Sequence, residues 1–126
     1  MGYNRGSSER GNHVQKLIKN IEHSAVVALT EQVDYLPGQI VSKTLAQNRH
    51  HSLTLFAFEK GEEISSHESA GDAMVMALDG TGRITIDGSM FMLHAGETIV
   101  MPARVPHAVF AEERFKMMLT VLFPGE

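Results

Sequence analysis

Histidine is the residue type with the most chemistry to offer in this chain: there are seven, and there is no cysteine. The missing cysteine excludes disulfide scaffolds, thiolate zinc sites and thiol nucleophiles together. Imidazoles are then the candidates for metal or acid–base work. Two of them stand at informative places. His67 closes the glycine-led run Gly61-Glu62-Glu63-Ile64-Ser65-Ser66-His67, with Ser69 and Asp72 close behind it. His107 follows Pro102-Ala103-Arg104-Val105-Pro106, a rigid turn into a strand. They lie 40 positions apart, yet imidazoles from separate strands can meet in a barrel mouth. A neutral imidazole pair can bind a divalent ion such as zinc, nickel, iron, manganese or copper, although structural sites take four protein ligands and catalytic ones three. The nearest spare donors are Asp72 and His51. The other arrangement open to the pair is a metal-free pocket, in which His67 and His107 hydrogen-bond each other or Ser69.

Other side chains carry narrower readings. Arg104, between two prolines, could lean over the mouth toward an anionic ligand or pair on the surface with Glu97 or Glu112. Lys43 alternates with Val41 and Leu45, which suits either an inward carboxylate anchor or a subunit edge. Met74, Met76, Met90 and Met92 sit at strand spacing and read as core filler. His94 falls in a turn, His50 and His51 at a loop tip, and His13 and His23 outside the motif region. No Ser-His-Asp order, phosphate loop or basic-aromatic stripe stands out.

The elements that must position these residues are strands. Past Pro37-Gly38 nearly everything alternates: 39–45, 52–59, 73–78, 83–86, 89–93, 97–101, 107–111 and 115–123, separated by Gly, Pro and charged turns. Asp87-Gly88 is a two-residue hairpin signal. Strands recurring at this spacing predict an all-β barrel or sandwich. The helical signal is confined to Val14, Leu17, Ile18 and Ile21 and to a short turn with Thr30 as N-cap. Residues 1–15 read as a flexible Gly/Ser/Asn/Arg arm and residues 16–126 as one domain.

The segments Gly61 to Gly80 and Gly96 to Ala111 together resemble the two motifs of the cupin superfamily, G(x)5HxH(x)3-4E(x)6G and G(x)5PxG(x)2H(x)3N. The chain looks like a small single-domain bacterial cupin without an assigned activity. The resemblance implies a double-stranded β-helix (jelly-roll) barrel with a short, mostly irregular N-terminal segment. It also implies that two His and a Glu of the first motif, with one His of the second, would hold a divalent metal. His67 and His107 match that pattern. Ser69 stands at the second His, Ala73 or Met74 at the Glu, Arg104 at the glycine after the proline, and Ala111 at the Asn.

With 126 residues, 15 acidic against 11 basic side chains and a net charge of -4, the chain fits one domain and argues against a nucleic-acid binder. No run approaches the ~18 apolar residues of a membrane span, and the polar start lacks a signal-peptide core, so a cytoplasmic location is expected. Two functions follow. One is an enzyme whose divalent metal, on His67 and His107 with help from Asp72, His51 or water, acts as Lewis acid. The other is a non-catalytic binding or sensing module with a metal-free pocket lined by Ser69, Ala73, Val75, Arg104 and Val109. Residues 40–45 and 115–123 are apolar on both faces, which predicts a homodimer formed through them.

Overall fold

A computed structural model of the protein describes residues 16–125; the N-terminal arm expected over 1–15 lies outside the described residues. Seven strands follow one another: β1 (Ile40–Gln47), β2 (His51–Phe58), β3 (Glu63–His67), β4 (Asp72–Ile86), β5 (Ser89–His94), β6 (Thr98–Met101) and β7 (His107–Leu122). All pairings are antiparallel. The expected β-rich barrel is present, and the only helical element among the described residues is a single 3-10 turn, Leu29–Glu31. Ala28 rather than Thr30 occupies its N-cap, with no side-chain cap. The helix suggested by Leu17, Ile18 and Ile21 is not formed.

Two strands run straight through places where turns were expected. β4 continues across Asp79-Gly80-Thr81-Gly82, and β7 across Glu112-Glu113-Arg114. They pair with each other along their whole length, and the register shifts at Ala77/Asp79 and Gly80/Gly82. The sheet therefore folds over instead of reversing. The first half of β4 pairs with β6 and the second half of β7, whose other neighbour is β2, itself paired with β1. The second half of β4 pairs with β5 and the first half of β7, whose other neighbour is β3. Each long strand thus serves both layers, and bulges bend a strand and sharpen its twist where it crosses between them.

Gly80 makes the corner possible. Its φ is +75°, and a Cβ there would stand 1.6 Å from the Arg114 carbonyl oxygen of β7. Between the layers lies a core of Phe58, Ala73, Val75, Ala77, Ile84, Leu93, Met101, Val109, Ala111, Phe115, Met117 and Val121. The hairpin Asp87-Gly88 joins β4 to β5 with φ of 49° and 86°, the paired positive values of a type I′ turn.

The outer face of the layer containing β1 and β2 is apolar too. There Val33, Leu45, Leu55 and Ala57 form a second cluster, with Ile21, Leu29, Tyr35, Val41, Leu53, Leu78 and Met118 around it. The segment before β1 supplies four of these residues and so covers the sheet from outside. Backbone N–H of Lys19 donates to the Leu45 carbonyl at 2.7 Å, the Asn20 amide donates to the Thr44 carbonyl at 2.7 Å, and the Tyr35 hydroxyl donates to Asp79. The buried Lys116 ammonium donates to the Thr30 carbonyl and lies 4.8 Å from the Tyr35 ring centre. Two-sided apolarity in 40–45 and 115–123 thus has an explanation within one chain. Lys43 shares this outer side with Val41 and Leu45 and lines a surface groove with Lys16, Asn20 and Gln32. The methionines divide by strand parity. Met101 and Met117 fill the core, whereas Met74, Met90 and Met92 are exposed. Reading Met74, Met90 and Met92 as filler fails because β4 and β5 each turn only one face inward.

Candidate functional site

One mouth of the barrel is built by the end of β3, the loop to β4, and the turn Pro102–Pro106 into β7. His67 is the last residue of β3 and His107 the first of β7, and they are direct register partners. Val109 and His107 are buried on the inner side of β7 and Ile64 lines the same cavity, so unbroken alternation would turn Ser66, not His67, inward. A register shift between Ile64 and His67 inserts the extra residue that brings the second imidazole round. The two rings then meet edge to face, their centres 4.4 Å apart and their planes at 67°.

Each ring is held in the same way. The Nδ1 of His67 is 2.9 Å from the Ser65 carbonyl oxygen, and that of His107 is 3.1 Å from the Val105 carbonyl oxygen. A carbonyl oxygen only accepts, so each Nδ1 is the donor, and in the uncharged ring Nε2 carries the free lone pair. His107 is 3% exposed. Burial pushes its imidazole below the ordinary histidine range; the hydrogen bond to Val105 works against this, and the neighbouring His67 adds to it.

That depression has a stability consequence of definite sign. In the unfolded chain the imidazole titrates at about 6.5 and binds a proton more readily than in the native state. Stability from this group is complete above that value and is lost as the pH falls through the lower native value. Urea midpoints measured from neutral pH downward are expected to decline through this window, and less steeply in His107→Gln. Identical pH profiles for the two proteins would contradict this.

Behind the rings lies a cavity of about 430 Å³, within the range of small-ligand pockets. Phe56, Ile64, Ala73, Met101, Val109, Met117, Leu119, Val121 and Phe123 make it mostly apolar, and His67, Glu68, Ser69 and His107 supply its polar side chains. Of the expected pocket residues, Ser69, Ala73 and Val109 line it. Val75 does not, being fully buried in the core further along β4. Phe56, Leu119 and Val121 were not expected, although the last two share the parity of Val109 along β7. Glu68, between His67 and Ser69, had no signal in the spacing.

The spare donors are elsewhere. Asp72 is exposed, opposite in parity to Ala73, and its carboxylate accepts the Ala103 backbone N–H at 2.8 Å. It ties the second motif's turn to the start of β4. His51 opens β2 on the Asn48 turn, where Asn48 Oδ1 accepts the backbone N–H groups of His50 and His51 at 2.8 and 3.0 Å. Neither lines the cavity. Among the described residues, no group of three or more His, Cys, Asp or Glu could hold a metal ion. Glu68 also lines the cavity, but it stands exposed at the rim and is not grouped with the rings. Two imidazoles alone are half a structural shell and one donor short of a catalytic one. The donor set therefore does not fit a resident metal.

Arg104 also stays out of the cavity. Its backbone N–H donates to the Ser69 carbonyl at 2.7 Å, joining the two motif loops. Glu97 and Glu112 are engaged by His94 and Arg83 instead. The φ of Arg104 is +63°, left-handed backbone at the position where the motif carries glycine. A side chain there costs about 1–2 kcal/mol relative to right-handed backbone, partly offset by the freedom glycine brings to the unfolded chain. Arg104→Gly is therefore expected to leave the protein as stable or up to about 1 kcal/mol more stable by urea denaturation. A marked loss would mean that the arginine side chain makes a contact of its own.

A two-layered jelly roll whose motif histidines meet at a mouth pocket defines the class. The Cupin domain family matches residues 54–123, more than half of the chain, and the chain belongs to that family. It is similar in structure to a conserved protein of unknown function from Streptococcus pyogenes, with 45% identity, a TM-score of 0.87, and 89% of this chain and 98% of that one covered. It is also similar to a cupin superfamily protein from Desulfitobacterium hafniense, at 30% identity and a TM-score of 0.82 over 85% and 98% of the two chains. A cupin 2 conserved barrel domain protein from Leptotrichia buccalis is 45% identical, with a TM-score of 0.73, over 74% of this chain and 45% of that one. No functionally curated protein matches the chain. No helix among the described residues is long and apolar enough to cross a membrane.

Proposed function

We propose that this cupin binds a small organic molecule in the mouth pocket without a resident catalytic metal. Of the two occupants the sequence leaves open, a divalent ion and an organic ligand, the donor set favours the ligand. The observation that carries this reading is the cavity itself: about 430 Å³, walled by aliphatic and aromatic side chains, with a fixed imidazole pair at one end. Serine and alanine at Ser69 and Ala73, where the family pattern has ligands, leave space rather than charge beside that pair. Zinc, nickel, iron, manganese or copper would find two nitrogens and no third His, Cys, Asp or Glu grouped with them among the described residues.

The test is a thermal-shift screen of small metabolites, with and without chelator, on protein purified without added metal. A ligand that raises the melting temperature, together with indifference to chelator, is the expected result. A chelator-induced fall in melting temperature with no stabilising metabolite overturns the reading. So does a full metal equivalent in the wild type that is lost in His67→Ala with His107→Ala.

We further propose that two copies associate. Val100 and Met74 are exposed register partners on the outer face beside Thr120, with Leu122 exposed nearby. An apolar stripe of this kind, bordered by Asp72 beside Leu122, suits the self-complementary contact of a two-fold dimer. Light scattering is expected to give a dimer at micromolar concentration and a monomer for Val100→Lys; a monomeric wild type overturns it.

A further inference from the structure

The polar groups of the mouth pocket are one-sided, which narrows the ligand class if the pocket reading above holds, since this inference rests on it. Four lining side chains have polar atoms: His67, Glu68, Ser69 and His107. No lysine or arginine is among the described lining residues, and Arg104 stays outside. Both imidazoles spend their Nδ1 hydrogen on their own backbone, at Ser65 and Val105, so the uncharged rings offer only acceptor lone pairs at Nε2. An ionised Glu68 also only accepts. The Ser69 hydroxyl accepts the Gly71 backbone N–H at 3.1 Å, and its hydrogen is the one donor on these side chains still free to turn to a ligand.

We infer that the pocket takes an uncharged, mostly apolar molecule whose head group is a hydroxyl donor, such as a phenol or an alcohol, and discriminates against carboxylates and phosphates. The hydroxyl donates to an imidazole Nε2 while its ring or chain lies against Phe56, Met101 and Leu119. An anionic head would face lone pairs and Glu68 with no cation to offset the loss of its hydration, a cost that apolar walls make large. An ammonium head would have to lose its water beside the buried His107, while the one carboxylate sits at the exposed rim.

Four ligands of one shape separate the possibilities: para-ethylphenol, its methyl ether, para-ethylbenzoate and ethylbenzene, titrated calorimetrically into the full chain at neutral pH. The phenol is expected to bind about tenfold more tightly than the ether or the hydrocarbon, as one neutral hydrogen bond allows, and the benzoate to bind most weakly. His107→Leu and His67→Leu keep the apolar volume and remove an acceptor. At least one of them is expected to erase the preference for phenol while still binding ethylbenzene, which also reports an intact pocket. Ethylbenzene bound as tightly as the phenol, or benzoate bound more tightly than either, overturns the hydroxyl-donor inference and leaves the pocket reading standing. Failure of all four to bind overturns both.

Discussion

Gly80→Ala is expected to destabilise the protein by about 3–5 kcal/mol, a large share of the roughly 5–15 kcal/mol that keeps an ordinary domain folded. Two costs coincide there. The backbone φ of +75° is one that an L side chain rarely adopts, and the new methyl carbon would stand 1.6 Å from the Arg114 carbonyl oxygen, far inside contact distance. That oxygen belongs to β7, which pairs with β4 on both sides of the corner, so it can move only if the pairing of the two longest strands is disturbed. Gly88→Ala is the control. Its φ is +86°, but nothing lies within 4 Å of the added carbon, so only the conformational cost of about 1 kcal/mol applies. Urea denaturation of the two variants beside the wild type separates steric clash from backbone strain. Equal losses would show that β7 yields at the corner and that close approach does not hold the fold there.

The second large effect is a gain. Ser69 and Ala73 line the same cavity as His67 and His107, so Ser69→His with Ala73→Glu would present three imidazoles and a carboxylate to one space. Such a donor set suits nickel, zinc or iron. The double variant is expected to retain about one equivalent of divalent metal after dialysis, as a closed protein shell does, where the wild type retains next to none. Ser69→His with Met74→Glu is the matched control. Met74 lies on the opposite side of β4, more than a third exposed, and its carboxylate would point to solvent. Metal analysis of the three proteins decides. Equal metal in both double variants would mean that parity along β4 does not govern which residues reach the cavity.

That comparison also shows where sequence reasoning stops. Counting along the first motif leaves Ala73 and Met74 equally placed for the carboxylate, because a gap of three or four residues satisfies the pattern. Strand parity separates them at once: Ala73 is buried in the core and Met74 is outside. Asp72 was legible in the same terms, one step out of phase with Ala73, and the structure gives its carboxylate to the Ala103 N–H instead. His67 was harder. It faces His107 only because of the register shift after Ile64, and a bulge leaves no mark in the local alternation of Glu63, Ile64, Ser65 and Ser66. The turn signals at Asp79–Gly82 and Glu112–Arg114 were real but ambiguous, since glycine and charge serve a bent strand as well as a chain reversal.

By itself the sequence determined the β-rich fold and the Asp87-Gly88 hairpin, while the resemblance to the cupin motifs singled out His67 and His107 without the register shift that makes them meet. These rest on local chemistry: alternation, positive-φ residues and prolines act over a few neighbouring positions. Only the tertiary structure decided that neither spare donor, Asp72 or His51, lines the cavity, that the segment before β1 covers the outer sheet, and that the second apolar face of β1 and β7 is partly satisfied within one chain. Those outcomes depend on bulges and on contacts between segments distant in sequence, and a single slipped residue exchanges the inside of a strand for its outside.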